Sequence, residues 1–194
     1  AENLRRLAAA PLTFAPGTAW LYSLATDVLG AVLQAATGRS LAEVVRDQVT
    51  GPLGLSHSGF LAADPDALAT AYADAPAGPV RMTDPHDLPF GEGGAIRFAP
   101  SRAGDASAYP SGGAGMVGTA PEFVTLLEAL RTGGAPVLRP ETVSALTANQ
   151  VGTKAEQGIG AGWGFGLGVA VLVDPVAGAT PQAAGTWRWG GVYG

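Results

Sequence analysis

The stretch Phe14-Ala15-Pro16-Gly17-Thr18-Ala19-Trp20-Leu21-Tyr22-Ser23-Leu24-Ala25-Thr26-Asp27-Val28-Leu29-Gly30 decides how the chain is interpreted. Pro16-Gly17 is typical of a turn, and the segment that follows leads through Tyr22 into a run of apolar residues. Those residues recur at helical spacing, which predicts a helix that ends at Gly38. We expect Ser23 to cap its N-terminus. Tyr22 therefore precedes the start of a helix.

Tyr22 has a structural and a functional interpretation. A helix N-terminus favours negative charge, so a tyrosinate is less costly there than elsewhere. An ordinary tyrosine is protonated at neutral pH, however, and a tyrosine that acts as a base needs a cation nearby. Judged from its surroundings in the sequence alone, Tyr22 fits a packing role better than a catalytic one.

Further helices follow from recognisable start signals. Ser40-Leu41-Ala42-Glu43 has the form of a capping box and predicts a helix to about Val49. Thr119-Ala120-Pro121-Glu122 has the same form and predicts a helix to about Arg131. Residues from Pro140 to about 149 predict another.

The last third of the chain predicts β-structure. Residues 163–174 are rich in Val, Leu, Phe and Trp and predict a strand, and residues 186–193 predict its partner. Residues 74–111 are rich in Pro, Gly, Ala and Asp and predict a loop-rich segment. The sequence as a whole predicts a mixed α/β (α+β) fold, with a helical region first and an antiparallel sheet last.

Composition restricts the class of protein. The 194 residues are 47% hydrophobic, which is enough for one domain core. The net charge of −5 without a basic patch argues against nucleic acid as a partner. Since there is no cysteine, disulfides and thiolate metal sites are excluded. No run of about 18 apolar residues occurs, so we predict no membrane span. The oligomeric state stays open.

The two histidines do not mark an obvious site. His57 and His86 are 29 positions apart, which is a poor metal set, and we predict no metal. The Gly-x-Ser-x-Gly pattern is absent, and Ser111 lies in a Tyr-Pro-Ser-Gly-Gly sequence instead. A Ser-His-Asp triad built from distant residues stays an alternative, but surface or capping roles are favoured.

The second functional candidate is Trp189-Gly190-Gly191-Val192. Two glycines within an apolar strand mark either a bulge or a close approach of another group to the backbone. Close approach is what an oxyanion donor requires. Both interpretations stay open on these residues alone.

Several stretches together resemble the family VIII carboxylesterases, which share the class C β-lactamase and DD-peptidase fold. They are residues 14–30, Pro52-Leu53-Gly54-Leu55, residues 109–116 and residues 189–194. Residues 2–8 and 97–102 resemble one esterase of this group in particular. The resemblance covers residues 1–194 and implies the C-terminal portion of a single serine β-lactamase-like domain. Because both ends read like interior sequence, we expect N-terminal and C-terminal parts of that fold to be missing.

The resemblance also implies site residues. In that family the nucleophile is the serine of a Ser-x-x-Lys motif upstream of the tyrosine. This chain holds one lysine, Lys154, with Val151 three residues before it, so neither the nucleophile nor its lysine is expected here. The tyrosine corresponds to Tyr22, as general base. The strand motif corresponds to Trp189-Gly190-Gly191, and the Val192 N–H completes the oxyanion hole.

Two departures from β-lactamases bear on the substrate. The position two residues after the tyrosine is Leu24 instead of Asn, and Trp189 replaces the Lys of the strand motif. An indole offers area and one donor but no charge. The resemblance therefore implies a serine carboxylesterase for short neutral esters, without a cofactor and inactive as this fragment alone. A β-lactamase or DD-peptidase, and a non-catalytic penicillin-binding-like protein, are the alternatives.

Overall fold

A computed structural model of the protein describes residues 2–90 and 93–191. The described α-helices are α1 (Glu2–Ala9), α2 (Ala25–Thr37), α3 (Leu41–Val45), α4 (Ala120–Arg131), α5 (Pro140–Leu146) and α6 (Glu156–Ile159). The described strands are β1 (Tyr72–Ala73), β2 (Val80–Arg81), β3 (His86–Phe90), β4 (Gly94–Phe98), β5 (Trp163–Phe165), β6 (Ala170–Leu172) and β7 (Trp187–Arg188). Helices and small antiparallel sheets together give the expected α/β class.

The sheet of β5, β6 and β7 carries the clearest core. Its strands are antiparallel in the order β5-β6-β7, with Trp163 opposite Leu172 and Ala170 opposite Arg188. Trp163, Ala170 and Leu172 are buried together, and Ile159 and Phe165 pack against them. Burial of large apolar side chains on one face of the sheet specifies the register in which β7 pairs with β6.

A tight corner joins α2 to α3. Gly38 ends α2 in the left-handed conformation, with φ of 67°, and its N–H donates to the Gln34 carbonyl. Ser40 and Glu43 then form the complete capping box that the sequence predicts. A side chain at Gly30 would come within 2.9 Å of Leu41, so glycine lets the two helices pack closely. Beyond α3 the chain continues as a π-helix, Arg46–Thr50.

The start of α4 departs from the predicted capping box. The Thr119 hydroxyl accepts from the Glu122 N–H at 3.4 Å, but the Glu122 carboxylate does not cap Thr119 in return. It accepts from the His57 N–H at 2.9 Å and from the Ser58 hydroxyl at 2.6 Å. The Ser58 hydrogen bond is the main reason that the pKa of Glu122 lies below its ordinary value; burial opposes this effect, and the His57 N–H adds to it. Glu122 thus ties α4 to the loop at residues 56–58.

Two helix boundaries differ from the sequence prediction. The N-cap position of α2 is Leu24 and not Ser23, and the Leu24 side chain makes no capping hydrogen bond. The Ser23 hydroxyl accepts from the Ala25 N–H at 3.3 Å. Helix α5 ends at Leu146 and not near residue 149. The reason lies in tertiary contacts, because the Asn149 side chain accepts from the Phe165 N–H at 3.3 Å. This contact places residue 149 against β5, outside the helix.

The predicted strand at residues 163–174 is two strands, β5 and β6. Residues 166–169 separate them, and Gly168 has a φ of 101°, which favours glycine. The Leu167 N–H donates to the Leu146 carbonyl at 3.0 Å, so the turn is also held by α5. The predicted partner strand corresponds to β7, which pairs with β6.

The loop-rich segment at residues 74–111 contains regular structure that composition does not predict. Strands β3 and β4 form a hairpin, across which Arg97 donates two hydrogen bonds to Asp87 at 2.7 and 2.8 Å. A 3₁₀-helix, Pro100–Gly104, follows. The other described residues of this segment form turns and irregular loops.

The chain leaves an unusual amount of surface uncovered. Its accessible area is 12,751 Å², whereas a folded monomer of this mass has about 8,500 Å². Helix α2 contributes prominently, since Val28, Leu29 and Val32 are each more than two-fifths exposed. In residues 2–90 and 93–191 no single helix is long and apolar enough to cross a membrane; the bent pair Ala25–Thr37 and Leu41–Thr50 passes by length and composition only.

The Glu122 hydrogen bonds predict a pH-dependent contribution to stability. The folded-state pKa lies below the ordinary value of 4.5, so the contribution is complete above that pH and is lost as the pH falls through the folded value. In the full-length protein, Glu122→Gln should therefore lower Tm at pH 7. The Tm difference from the wild type should narrow as the pH falls below 4.5, in a thermal-unfolding series.

Glu141→Gln is the matched control, because Glu141 is exposed in the first turn of α5. It should leave the acid limb of the stability profile unchanged. A Tm difference for Glu122→Gln that stays constant from pH 7 to pH 3 would contradict the assigned role.

Candidate active site

One cavity of about 580 Å³ brings together residues from early and late parts of the described chain. Tyr22 lines it from the segment before α2, and Trp189, Gly190 and Gly191 line it from the end of β7. Tyr22 is 64% exposed and Trp189 is 42% exposed, so both are accessible to a small molecule. Residues 167 positions apart in sequence thus share one wall.

Four aromatic rings form a continuous row that ends at this wall, which we call the aromatic row: Trp20, Phe165, Trp189 and Tyr22. Of these four, Trp189 and Tyr22 line the cavity. Neighbouring ring centroids are 5.0 Å apart for Trp20 and Phe165, 5.1 Å for Phe165 and Trp189, and 5.3 Å for Trp189 and Tyr22. The Phe165–Trp189 pair meets edge to face, at 85°. These are favourable separations and angles for aromatic pairs. The row joins the segment before α2 to the β5-β6-β7 sheet.

A glycine in α6 makes room for the first ring of the row. A Cβ at Gly158 would stand 2.7 Å from Trp20 Cζ3, closer than real Cβ contacts. Trp20 is half-buried between this glycine and Phe165. Any side chain at position 158 would displace Trp20 and, through it, the row.

The glycine-rich stretch around Ser111 supports the start of α2. A Cβ at Gly113 would lie 2.8 Å from the Asp27 carboxylate, so this backbone packs directly on the first turn of the helix. The Ser111 hydroxyl accepts from the N–H groups of Gly113 and Ala114 at 3.3 and 3.1 Å. Ser111 therefore shapes the turn that braces the helix next to Tyr22.

Arg188 is a site residue that the sequence analysis missed. It lines the same cavity, and its Cζ lies 4.0 Å from the centroid of the Trp163 ring. Trp163 is only 5% exposed, so it offers the guanidinium a fixed surface for a cation–π contact. In the sequence, Arg188 is recognisable only as a cation directly before Trp189. The fold shows that Arg188 lines the same cavity as Tyr22.

Comparison with known proteins identifies the family. A family model described as Beta-lactamase matches residues 1–194. The chain belongs to the Beta-lactamase family.

Individual proteins are similar to this chain over all or nearly all of its length. Esterase EstB of Burkholderia gladioli is 54% identical over 196 residues, which cover 100% of this chain and 49% of that protein. The structure of EstCE1, described as a hydrolase with promiscuous acyltransferase activity, superposes with a TM-score of 0.91 at 52% identity, covering 99% of this chain and 51% of that one. The LovD6 mutant of simvastatin synthase (LovD) from Aspergillus terreus shares the fold, with a TM-score of 0.72 at 19% identity over 98% of this chain and 48% of that one. The chain spans about half the length of the curated relatives it matches.

The predicted site residues fall into two groups. Tyr22, Trp189, Gly190 and Gly191 meet at the cavity. Val192 lies outside the described residues. The chemical roles of all five stay predictions, and their proximity is what the structure adds.

The histidines have local structural contacts. His57 Nδ1 lies 3.1 Å from Ser56 Oγ and 3.2 Å from Glu122 Oε1. A triad uses both ring nitrogens, one toward the nucleophile and one toward the acid, whereas here both neighbours meet the same nitrogen. His86 Nδ1 accepts from the Thr83 N–H at 3.2 Å. Within the described residues no group of three His, Asp or Glu side chains is placed to hold a metal ion.

A larger cavity, of about 740 Å³, lies elsewhere, between residues 40–61 and residues 105–110. Its charged lining residues are Glu43, Arg46 and Asp105, and all three are already engaged. They bind Ser40, Asp47 and Ser107 in that order. It holds neither Tyr22 nor the β7 end. Size favours this cavity, but the chemistry of the lining favours the smaller one, which we take as the candidate active site.

The aromatic row predicts a specific effect of Phe165→Leu. The substitution removes two ring pairs, each worth about 0.5–1.5 kcal/mol, so the free energy of unfolding should fall by about 1–3 kcal/mol. Denaturant unfolding of the full-length protein measures this difference.

Phe123→Leu provides the control for this experiment, because Phe123 is exposed on α4. Its cost should stay within about 0.5 kcal/mol. Equal costs for the two variants would show that the row contributes nothing beyond ordinary apolar contact.

Proposed function

We propose that the full-length protein is a serine carboxylesterase that hydrolyses short-chain acyl esters through an acyl-enzyme intermediate. One observation carries the proposal: Tyr22 and the Trp189-Gly190-Gly191 backbone line one cavity. The 54% identity with Esterase EstB supports the same activity. In this proposal residues 1–194 are the C-terminal portion of a single domain, and the substrate is a small ester.

The nucleophilic serine and its lysine belong, in this proposal, to a part of the protein outside residues 1–194. No Ser-x-x-Lys sequence occurs in the chain, and the relatives it matches are about twice as long. The exposed apolar face of α2 gives that part a surface to cover. The 194 residues alone are therefore expected to be inactive.

Tyr22 acts as general base in the first half of the reaction. Its phenolate oxygen takes the serine proton while the serine oxygen attacks the ester carbonyl carbon. The C–O bond to the alcohol then breaks, and Tyr22 returns the proton to the leaving alcohol. In the second half, water attacks the acyl carbon and Tyr22 takes a proton from that water. The bond between the acyl carbon and the serine oxygen then breaks, Tyr22 returns the proton to the serine oxygen, and the acid leaves. No cofactor takes part in these steps.

The β7 end supplies electrostatic help. Two adjacent glycines, Gly190 and Gly191, keep the backbone bare where the carbonyl oxygen must approach. The N–H of Val192, together with that of the serine, is the proposed oxyanion donor pair. Such donors act on the charge that develops in the tetrahedral intermediate.

Two residues favour an ester over a β-lactam. Trp189 offers an apolar ring where β-lactamases have a lysine, and Leu24 offers no amide where they have an asparagine. Leu24 is more than half exposed directly before α2, so its position does carry a side chain that a ligand could meet. The non-catalytic alternative differs by accumulating no acyl-enzyme.

Tyr22→Phe tests the assigned base. The ring, and hence its contact with Trp189, is retained, so Tm should be unchanged. Only the hydroxyl is lost, and kcat on p-nitrophenyl acetate and butanoate should fall roughly 10²–10⁴-fold. Steady-state kinetics of the full-length protein provide the measurement.

Tyr72→Phe is the matched variant, since Tyr72 is an exposed tyrosine in β1. It should keep wild-type kcat. If Tyr22→Phe also kept wild-type kcat, Tyr22 would not be the base.

A further inference from the structure

Arg188 is held at the edge of the candidate active site, and no acidic side chain among residues 2–90 and 93–191 pairs with it. Its guanidinium stacks on the buried Trp163 ring, at 4.0 Å from Cζ to the centroid. Among the described residues that line the cavity, none is acidic and Arg188 is the only cation. Other arginines of the described chain, such as Arg97 and Arg131, do pair with carboxylates.

Stacking leaves the hydrogen-bonding edge of a guanidinium available. The contact with Trp163 uses the face of the planar group, and its N–H donors lie in the plane. The backbone of Arg188 is fixed as well, because β7 pairs with Ala170, which also lines the cavity. A planar fork of donors held in this way suits a carboxylate.

We propose that Arg188 binds a carboxylate of the substrate, so that the preferred esters carry an anionic group in addition to the scissile bond. This inference rests on the proposed esterase function and names its substrate class. It modifies the expectation of a neutral substrate, because that expectation was based on Trp189 and did not include Arg188. The protein's net charge of −5 repels anions at long range, so selectivity for them must come from this local contact.

The test compares acetate esters that differ only in charge. The probes are 3- and 4-acetoxybenzoate and the matching neutral 3- and 4-acetoxybenzamides, hydrolysed by the full-length protein. The measured quantity is the ratio of kcat/KM for each benzoate to kcat/KM for its amide. Comparing within a pair cancels effects that act on the acetyl group alone.

Arg188→Gln should lower this ratio roughly 10- to 100-fold for at least one position, which is the range expected when a hydrogen-bonded charge pair is lost. The change should be in KM, with kcat nearly unchanged, because the contact is made equally in ground state and transition state. Arg188→Lys keeps the charge but not the fork and should lose less. Arg81→Gln, an exposed arginine of β2, makes the same change in net charge and should leave the ratio unchanged.

Two kinetic results would overturn the proposal. An unchanged ratio in Arg188→Gln would show that the guanidinium does not meet the carboxylate. An equal loss on benzoates and amides would assign Arg188 to folding if Tm also falls, or to the support of Tyr22 if kcat falls at constant Tm.

Failure of the proposed esterase function is distinguishable. If the wild type hydrolyses none of the four esters, binding of 4-hydroxybenzoate and 4-hydroxybenzamide is measured by quenching of tryptophan fluorescence. Tighter binding of the benzoate that disappears in Arg188→Gln supports the carboxylate site by itself. Equal binding of the two compounds overturns it.

Discussion

The edge-to-face contact between Phe165 and Trp189 is the interaction on which the candidate site depends. Phe165 belongs to β5 and also meets Trp20, while Trp189 follows β7 and also meets Tyr22. A ring pair inside the sheet is thereby connected to the segment before α2 at two points. The Phe165–Trp189 contact links the Trp20–Phe165 pair to the Tyr22–Trp189 pair, so that the four rings form one row. Because each ring pair contributes only about 0.5–1.5 kcal/mol beyond apolar burial, the arrangement depends on several pairs acting together.

The same sheet positions a cation next to the apolar wall. Trp163 is buried in the core with Leu172, and its ring face supports Arg188. The cavity therefore has an aromatic side and a charged side, built from adjacent residues of one strand end. That combination is the basis of the proposed preference for esters that carry an anionic group. In the larger cavity, by contrast, the charged lining residues are engaged by neighbouring side chains and backbone groups.

The sequence predicts those features that depend on local chemistry. The Ser40 capping box and the Gly38 helix end are confirmed, because caps are decided by a few neighbouring residues. The predicted end of α5 was wrong, because Asn149 binds β5. The predicted bounds of α4 are confirmed, but the Glu122 side chain binds the His57 N–H instead of completing the capping box. The site residues likewise divide into those recognisable from the sequence and those that depend on tertiary contacts. Tyr22 and the terminal glycines stood out through family resemblance, whereas Arg188 and the aromatic row emerge only when distant residues are brought together by the fold.

The central claim is that ester chemistry takes place in the cavity between Tyr22 and the β7 end, and one experiment tests it most directly. Diethyl p-nitrophenyl phosphate forms a covalent phosphoryl adduct with an activated serine, and a crystal structure of the full-length protein after this reaction locates the adduct. We predict a single adduct in the cavity lined by Tyr22, Arg188 and Trp189. An adduct in the larger cavity beside Arg46 and Phe60, or an unmodified protein that still hydrolyses esters, would contradict the claim.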